Sequence, residues 1–103
     1  MTVRMIRKAQ VASSDRARVQ GWIAEYTACQ RSHASDGVGI DAYMEAYGAY
    51  GVAYWTVDAP SLGELDAFLD SLTEQSDYLE ILKKGSDLFV SGMTSDTLLK
   101  KIG

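Results

Sequence analysis

Asp41, Tyr43, Glu45 and Tyr47 fall on one side of the alternating run VGIDAYMEAY, residues 38–47, because successive side chains of a strand point to opposite faces. Two carboxylates flanking a phenol form a row that could work as acid and base if burial raised one carboxyl pKa above its neighbour's. The same row reads equally as a solvated or salt-bridged face, since ion-pair networks also perturb titration. Val38, Ile40, Ala42, Met44 and Ala46 make the opposite side apolar. Tyr43, Tyr47, Tyr50 and Tyr54 cluster around the following turn, where they could stack on a flat ligand and offer hydroxyls to it. Tyrosine is also an ordinary strand residue, so the clustering is the whole signal.

His33 is the sole histidine, three residues before Asp36. An imidazole held by that carboxylate would titrate near neutrality and serve as a base, whereas the plain alternative is a solvated helix C-terminus favoured by the dipole. Cys29 lies four residues earlier, on the same helical face, which suits a thiolate–imidazolium pair or half of a metal site. With no second Cys or His, carboxylates would have to complete such a site, and Cys29 serves as readily as a small buried hydrophobe. The sequence therefore predicts no metal. It predicts no cofactor either, since it carries no phosphate-cradling glycine loop, no Gly-x-Ser-x-Gly elbow and no paired-Cys motif.

The elements that must hold these residues can be read from spacing. Val3 to Ala12 alternates as a strand, with Val3, Met5, Ala9 and Val11 on one side, Arg7 intruding among them, and Arg4, Ile6, Lys8 and Gln10 on the other. Ser13 and Ser14 are N-cap candidates for a helix running to about Ser32, whose buried face carries Val19, Trp22, Ile23, Tyr26 and Cys29 or Gln30. SHASDG, 32–37, is a turn by composition. The run to Asp58 is a second strand of the hairpin, with the face of Trp55 left open. Ser61 and Glu64 have capping-box spacing ahead of a stripe of Leu62, Leu65, Phe68 or Leu69, and Leu72. Ser76 caps a further helix bearing Tyr78, Ile81 and Leu82, which Gly85 ends in the left-handed conformation. Asp87 to Met93 reads as the last strand, with Phe89, Ser91 and Met93 on one face, and Ser95 caps a terminal helical turn, TLLKKI.

With 103 residues the chain, 1–103, is read as one domain. A net charge of −4 and a pI near 4.8 oppose nucleic acid, whose phosphates require a basic footprint. No apolar run approaches the roughly 18 residues of a membrane span, and residues 1–10 lack a signal peptide's apolar centre. These features, with a single cysteine, predict a cytoplasmic protein that binds neither membrane nor nucleic acid.

The order strand, helix, strand, strand, helix, strand predicts an α+β ferredoxin-like βαββαβ fold, a four-stranded antiparallel sheet with helices on one face. The other face collects Arg4, Lys8, Tyr43, Tyr47, Tyr54, Phe89 and Met93, beside Asp41 and Glu45. That mixture is too aromatic for a wet surface and too charged for a dry core. It predicts two sheets meeting around a cavity of about 300 Å³ or more in which those residues touch a small ligand. Tyr78 to Gly92, YLEILKKGSDLFVSG, with Asp96 and Leu98 after it, is similar to the way dimeric α/β barrel proteins end, and the order of elements resembles the NIPSNAP-like and antibiotic-biosynthesis monooxygenase-like branches. The resemblance implies a homodimer. It implies a cavity for a small aromatic or hydrophobic molecule or, alternatively, a cofactor-independent monooxygenase acting on a phenolic or polyketide-like substrate. An oxygenase of that kind would use His33, Asp41 or Glu45 as base and a cation or tyrosine hydroxyl to hold the oxyanion. A dimeric interaction module without a ligand is the third reading, since scaffold does not dictate function.

Overall fold

The computed structural model describes residues 2–45 and 51–103. Its elements are β1 (Val3–Val11), α1 (Arg16–Ser32), β2 (Gly39–Met44), β3 (Val52–Ala59), α2 (Leu62–Leu72), α3 (Ser76–Lys84) and β4 (Phe89–Lys100). The strands form one antiparallel sheet in the order β2-β3-β1-β4. Each helical connection therefore skips over one strand, which leaves the helices on one face, as in the ferredoxin-like arrangement. Among the described residues no helix is long and apolar enough to cross a membrane.

Local chemistry accounts for most boundaries. Asp15, rather than Ser13 or Ser14, caps α1, its carboxylate accepting from the Arg18 N–H at 3.1 Å. A carboxylate here also meets the positive end of the helix dipole. Ser61 caps α2 by accepting from the Glu64 N–H at 3.2 Å. Ser76 is the first residue of α3 and not its cap; Gln75 occupies the cap position without a side-chain bond. Gly85 ends α3 at φ −98°, so it is not a left-handed terminator. Its lack of a side chain answers a packing demand instead, because a Cβ there would overlap the Trp22 indole.

The core is built where α1 crosses the sheet. Trp22 stacks on Tyr26 with centroids 4.8 Å apart, and its Nε1–H donates to the Ile81 carbonyl at 2.8 Å. Val3, Met5, Ala9, Trp55 and Val57 meet these rings from the sheet, and Leu65, Phe68, Leu72, Tyr78 and Ile81 close the core from α2 and α3. Trp55 thus lies on the helical face, opposite Arg7 and Ala42 in register. Leu62, expected in a buried stripe, is exposed at the start of α2, and Leu82 of α3 is exposed as well.

The largest departure from sequence expectation is β4. Residues 95–100 continue the strand instead of turning into a helix, pairing Lys8↔Ser95 through Val3↔Lys100. The free edge of β1 offers a ladder of hydrogen bonds that a terminal helical turn would leave unmade, and β-branched Thr94 and Thr97 suit it. The strand is irregular near its start: Val11↔Phe89 and Ala9↔Thr94 are both paired, so five steps along β4 match two along β1. Gly92, at φ +79°, turns the backbone inside that irregularity. The odd surplus reverses the alternation. Phe89 consequently faces the helices, not the open face predicted for it, while Met93 is exposed.

Candidate functional site

On the face of the sheet away from the helices, register places Tyr43 opposite Tyr54 and Tyr54 opposite Lys8, with Asp41, Thr56 and Ile6 forming the next row. Asp41, Tyr43 and Glu45 share this face as period-2 spacing predicts. Each carboxylate is nonetheless occupied separately. Arg31 reaches from the end of α1, its Nε–H donating to the Ile40 carbonyl at 2.9 Å and its Nη2 to Asp41 at 3.1 Å. The Tyr54 hydroxyl donates to Glu45 Oε1, and that bond, with burial and the carboxylate's charge, pushes the phenol pKa up. Arg4 makes a two-pronged pair with Asp58 at 2.7 and 2.8 Å, which holds the Asp58 carboxyl below its usual range. Lys8, Tyr43 and Met93 are exposed. Tyr47 and Tyr50 lie outside the described residues.

His33 stands elsewhere. It is the C-cap of α1, and its Nε2 lies 2.9 and 3.0 Å from the two carboxylate oxygens of Asp77 in the first turn of α3. Its carboxylate partner is therefore Asp77, forty-four positions away, and not Asp36. Hydrogen bonding to His33 is the main cause that lowers the Asp77 pKa. Cys29 lies against the same carboxylate, and burial first, then the charge of Asp77, pushes its thiol pKa up. His33, Asp41 and Glu45 are thus not brought together: the first belongs to the α1–α3 contact and the others project from β2 away from the helices.

A cavity of about 280 Å³ opens between the sheet and the end of α3, on the helical face, with Arg7, Trp22, Tyr26, Trp55, Phe89 and Thr94 in its wall. Four rings frame it. Trp22 meets Phe89 edge-on at 5.2 Å, and Trp55 meets Tyr26 at 5.6 Å and Phe89 at 6.0 Å, with the ring planes inclined by 62°, 83° and 65°. Such edge-to-face contacts fix the rings and leave flat walls. Trp55 is 3 % exposed, and its Nε1–H is buried without a hydrogen-bond partner among the described residues. Arg7 comes from the middle of β1 and is clamped by Asp96, directly opposite on β4, at 2.8 and 2.9 Å. That bond raises the guanidinium pKa and depresses the Asp96 carboxyl, so both stay charged. Burial, then the neighbouring Tyr78, raises the Tyr26 phenol, which keeps it neutral.

The cavity therefore offers aromatic faces and a guanidinium already paired with Asp96, and the buried, unpartnered indole N–H belongs to Trp55, one of its wall residues. Neither an imidazole nor a carboxylate lies among its wall residues, of those described. Sequence reasoning did not single out Arg7, Trp22, Tyr26 and Trp55 as residues of a cavity wall, because rings at helical spacing read as core. Arg7 intruding on the apolar side of β1 was the available sign. A second hollow, of about 520 Å³, lies beside Arg4, Asp58 and Leu99 at the end of β1, where the two charged groups neutralise each other.

No family model matches the chain, and no curated protein matches it in sequence. Solved structures do share its fold. A NIPSNAP family protein with unknown function from Agrobacterium tumefaciens superposes with a TM-score of 0.82 at 16% identity, covering 97% of this chain and 87% of that one. An uncharacterised NIPSNAP-like domain protein from Burkholderia xenovorans gives 0.80 at 9% identity, over 98% and 85%. SnoaB, a cofactor-independent oxygenase from Streptomyces nogalater, gives 0.70 at 12% identity, over 97% and 92%.

Proposed function

We propose, with the fold shared by NIPSNAP and oxygenase structures as premise, that this chain binds a small, flat, largely apolar molecule between its helices and its sheet. The observation that carries this reading is the buried Trp55 Nε1–H, a donor without a partner among the described residues, on a ring that lines an aromatic cavity. A buried polar group without a partner is uncommon and calls for an explanation. A ligand acceptor such as a carbonyl or ring nitrogen supplies one once a shift of the ring exposes the N–H, with Trp22, Tyr26 and Phe89 packing its faces. Phe89 remains a ligand contact here, on the helical face. Arg4, Lys8, Tyr43, Tyr54 and Met93 instead belong to the open face, where a second copy of the chain would cover them in a homodimer. The single cysteine supports a cytoplasmic location.

The oxygenase reading is favoured by one observation, the shared fold of SnoaB. Its chemistry would need a base, and His33, Asp41 and Glu45 all lie outside the cavity wall. Binding therefore ranks first. The test is titration of the protein with a panel of flat aromatic carbonyl compounds, read by tryptophan emission, since Trp22 and Trp55 both line the cavity. Saturable quenching that weakens in Phe89→Ala, with no consumption of oxygen, is the expected result. Quenching absent across the panel, with no small molecule released from denatured protein, would leave the interaction-module reading in its place.

A further inference from the structure

We propose that Cys29, His33 and Asp77 form a binding site for a divalent cation of the zinc class, joining the end of α1 to the start of α3. One ligand-capable atom from each residue lies within 4.8 Å of the other two. Zinc bonds of about 2.3 Å to sulfur and 2.0–2.1 Å to nitrogen and oxygen, at tetrahedral angles, place ligand atoms roughly 3.3–3.6 Å apart. The 2.9 Å between His33 Nε2 and Asp77 would therefore open by a few tenths of an ångström while the sulfur closes in.

The elements pre-position the set. Cys29 and His33 are one helical turn apart on the same face, and Asp77 is steadied by the Tyr78 N–H, which donates to its Oδ1 at 2.9 Å. A His33–Asp77 ion pair would account for two of the three residues. It does not account for the lone cysteine of the chain meeting the same carboxylate. Thiolate, imidazole and carboxylate together select zinc-like ions over magnesium or calcium, which take oxygen ligands. Cys29 is buried while Asp77 is exposed, so the fourth position faces solvent and water would fill it. Binding releases the Cys29 thiol proton to solvent as the thiolate–metal bond forms, and affinity rises with pH.

The test is titration of the metal-free protein with Zn²⁺ by calorimetry and with Co²⁺ by absorption. One ion per chain, a thiolate-to-cobalt charge-transfer band and a raised unfolding midpoint are expected. Cys29→Ser should abolish the band. Asp77→Asn, at an exposed position that cannot unsettle the core, should weaken Zn²⁺ binding by at least about 10-fold, the lower bound for losing even an outer partner of a metal. Asp36→Asn, beside His33 in sequence only, should leave affinity unchanged. Parent protein that gives no thiolate band, or Zn²⁺ binding that survives both Cys29→Ser and Asp77→Asn, would overturn the site.

Discussion

Replacing Gly85 by Ala tests whether Trp22 is wedged, because it inserts one methyl where the indole already stands. Apart from the cavity that Trp22 and Gly85 both border, the ring is braced: Tyr26 stacks on it at 4.8 Å, Phe89 and Trp55 meet it at 5.2 and 6.4 Å, and its N–H is tied to the Ile81 carbonyl. Overpacking of this kind costs about 1–3 kcal/mol. Displacing the ring also strains a hydrogen bond that contributes about 0.5–1.5 kcal/mol. Against this, removing a glycine from the unfolded chain recovers about 0.4–1 kcal/mol, and a backbone at φ −98° accepts alanine without strain. The net destabilisation is about 2 kcal/mol, or roughly 10 °C in melting midpoint for a domain of this size. Gly21→Ala is the matched control. It sits on the exposed side of α1 with nothing near its Cβ, and should stabilise by about 0.5–1 kcal/mol. Urea unfolding followed by circular dichroism measures both, and a Trp22→Leu background isolates the clash, since the cost at Gly85 should then shrink. Gly85→Ala as stable as the parent, or equally harmful without the indole, would refute the argument.

Three other outcomes follow from the same geometry. Trp55→Phe should reduce affinity for a carbonyl-bearing ligand by up to about tenfold, the worth of one hydrogen bond, and unchanged affinity by fluorescence titration would remove the indole donor from the binding site. Asp58, Asp77, Asp87 and Asp96 all have pKa values lowered chiefly by hydrogen bonds to Arg4, His33, Arg18 and Arg7. Their stabilisation is complete above the ordinary carboxyl pKa near 3.8 and is lost as pH falls through the depressed folded values, so urea midpoints should drop below about pH 4. Asp96→Asn should flatten that drop, and a midpoint constant from pH 5 to 2 would contradict it. Light scattering at micromolar concentration should give a dimer mass that Leu99→Lys, on the open face beside Arg4, shifts toward the monomer; a monomeric parent would end the homodimer reading.

Legibility in the sequence followed the range of the interactions. The end of α1 at Ser32 and the two faces of β2 were readable because period 3.6 and period 2 are local properties of the residues involved. The β4 extension was not, since TLLKKI suits a helical turn and only the open edge of β1, ninety residues earlier, makes it a strand. Phe89 was misplaced for the same reason: alternation holds only until an irregularity, and nothing but the partner strand reveals how many residues it absorbs. His33 could be seen as a candidate, but its partner Asp77 comes from another helix, so the nearer Asp36 drew the inference. The cavity was hardest to read. Trp22 and Tyr26 at helical spacing imply burial, and burial against a neighbour and burial against a void leave the same pattern.

The irregularity around Gly92 makes β4 a strand with two addresses. Upstream of it, Phe89 belongs to the cavity wall; downstream, Met93 and Leu99 belong to the opposite surface. Because an odd number of surplus residues separates the two, side-chain choice on one stretch is unconstrained by the alternation of the other. A lineage could retune what the helical side holds by altering Phe89 together with Thr94, and what the open side meets by altering Met93 and Leu99. Neither change would need the other to stay in phase, and so binding preference and self-association can diverge along a single strand.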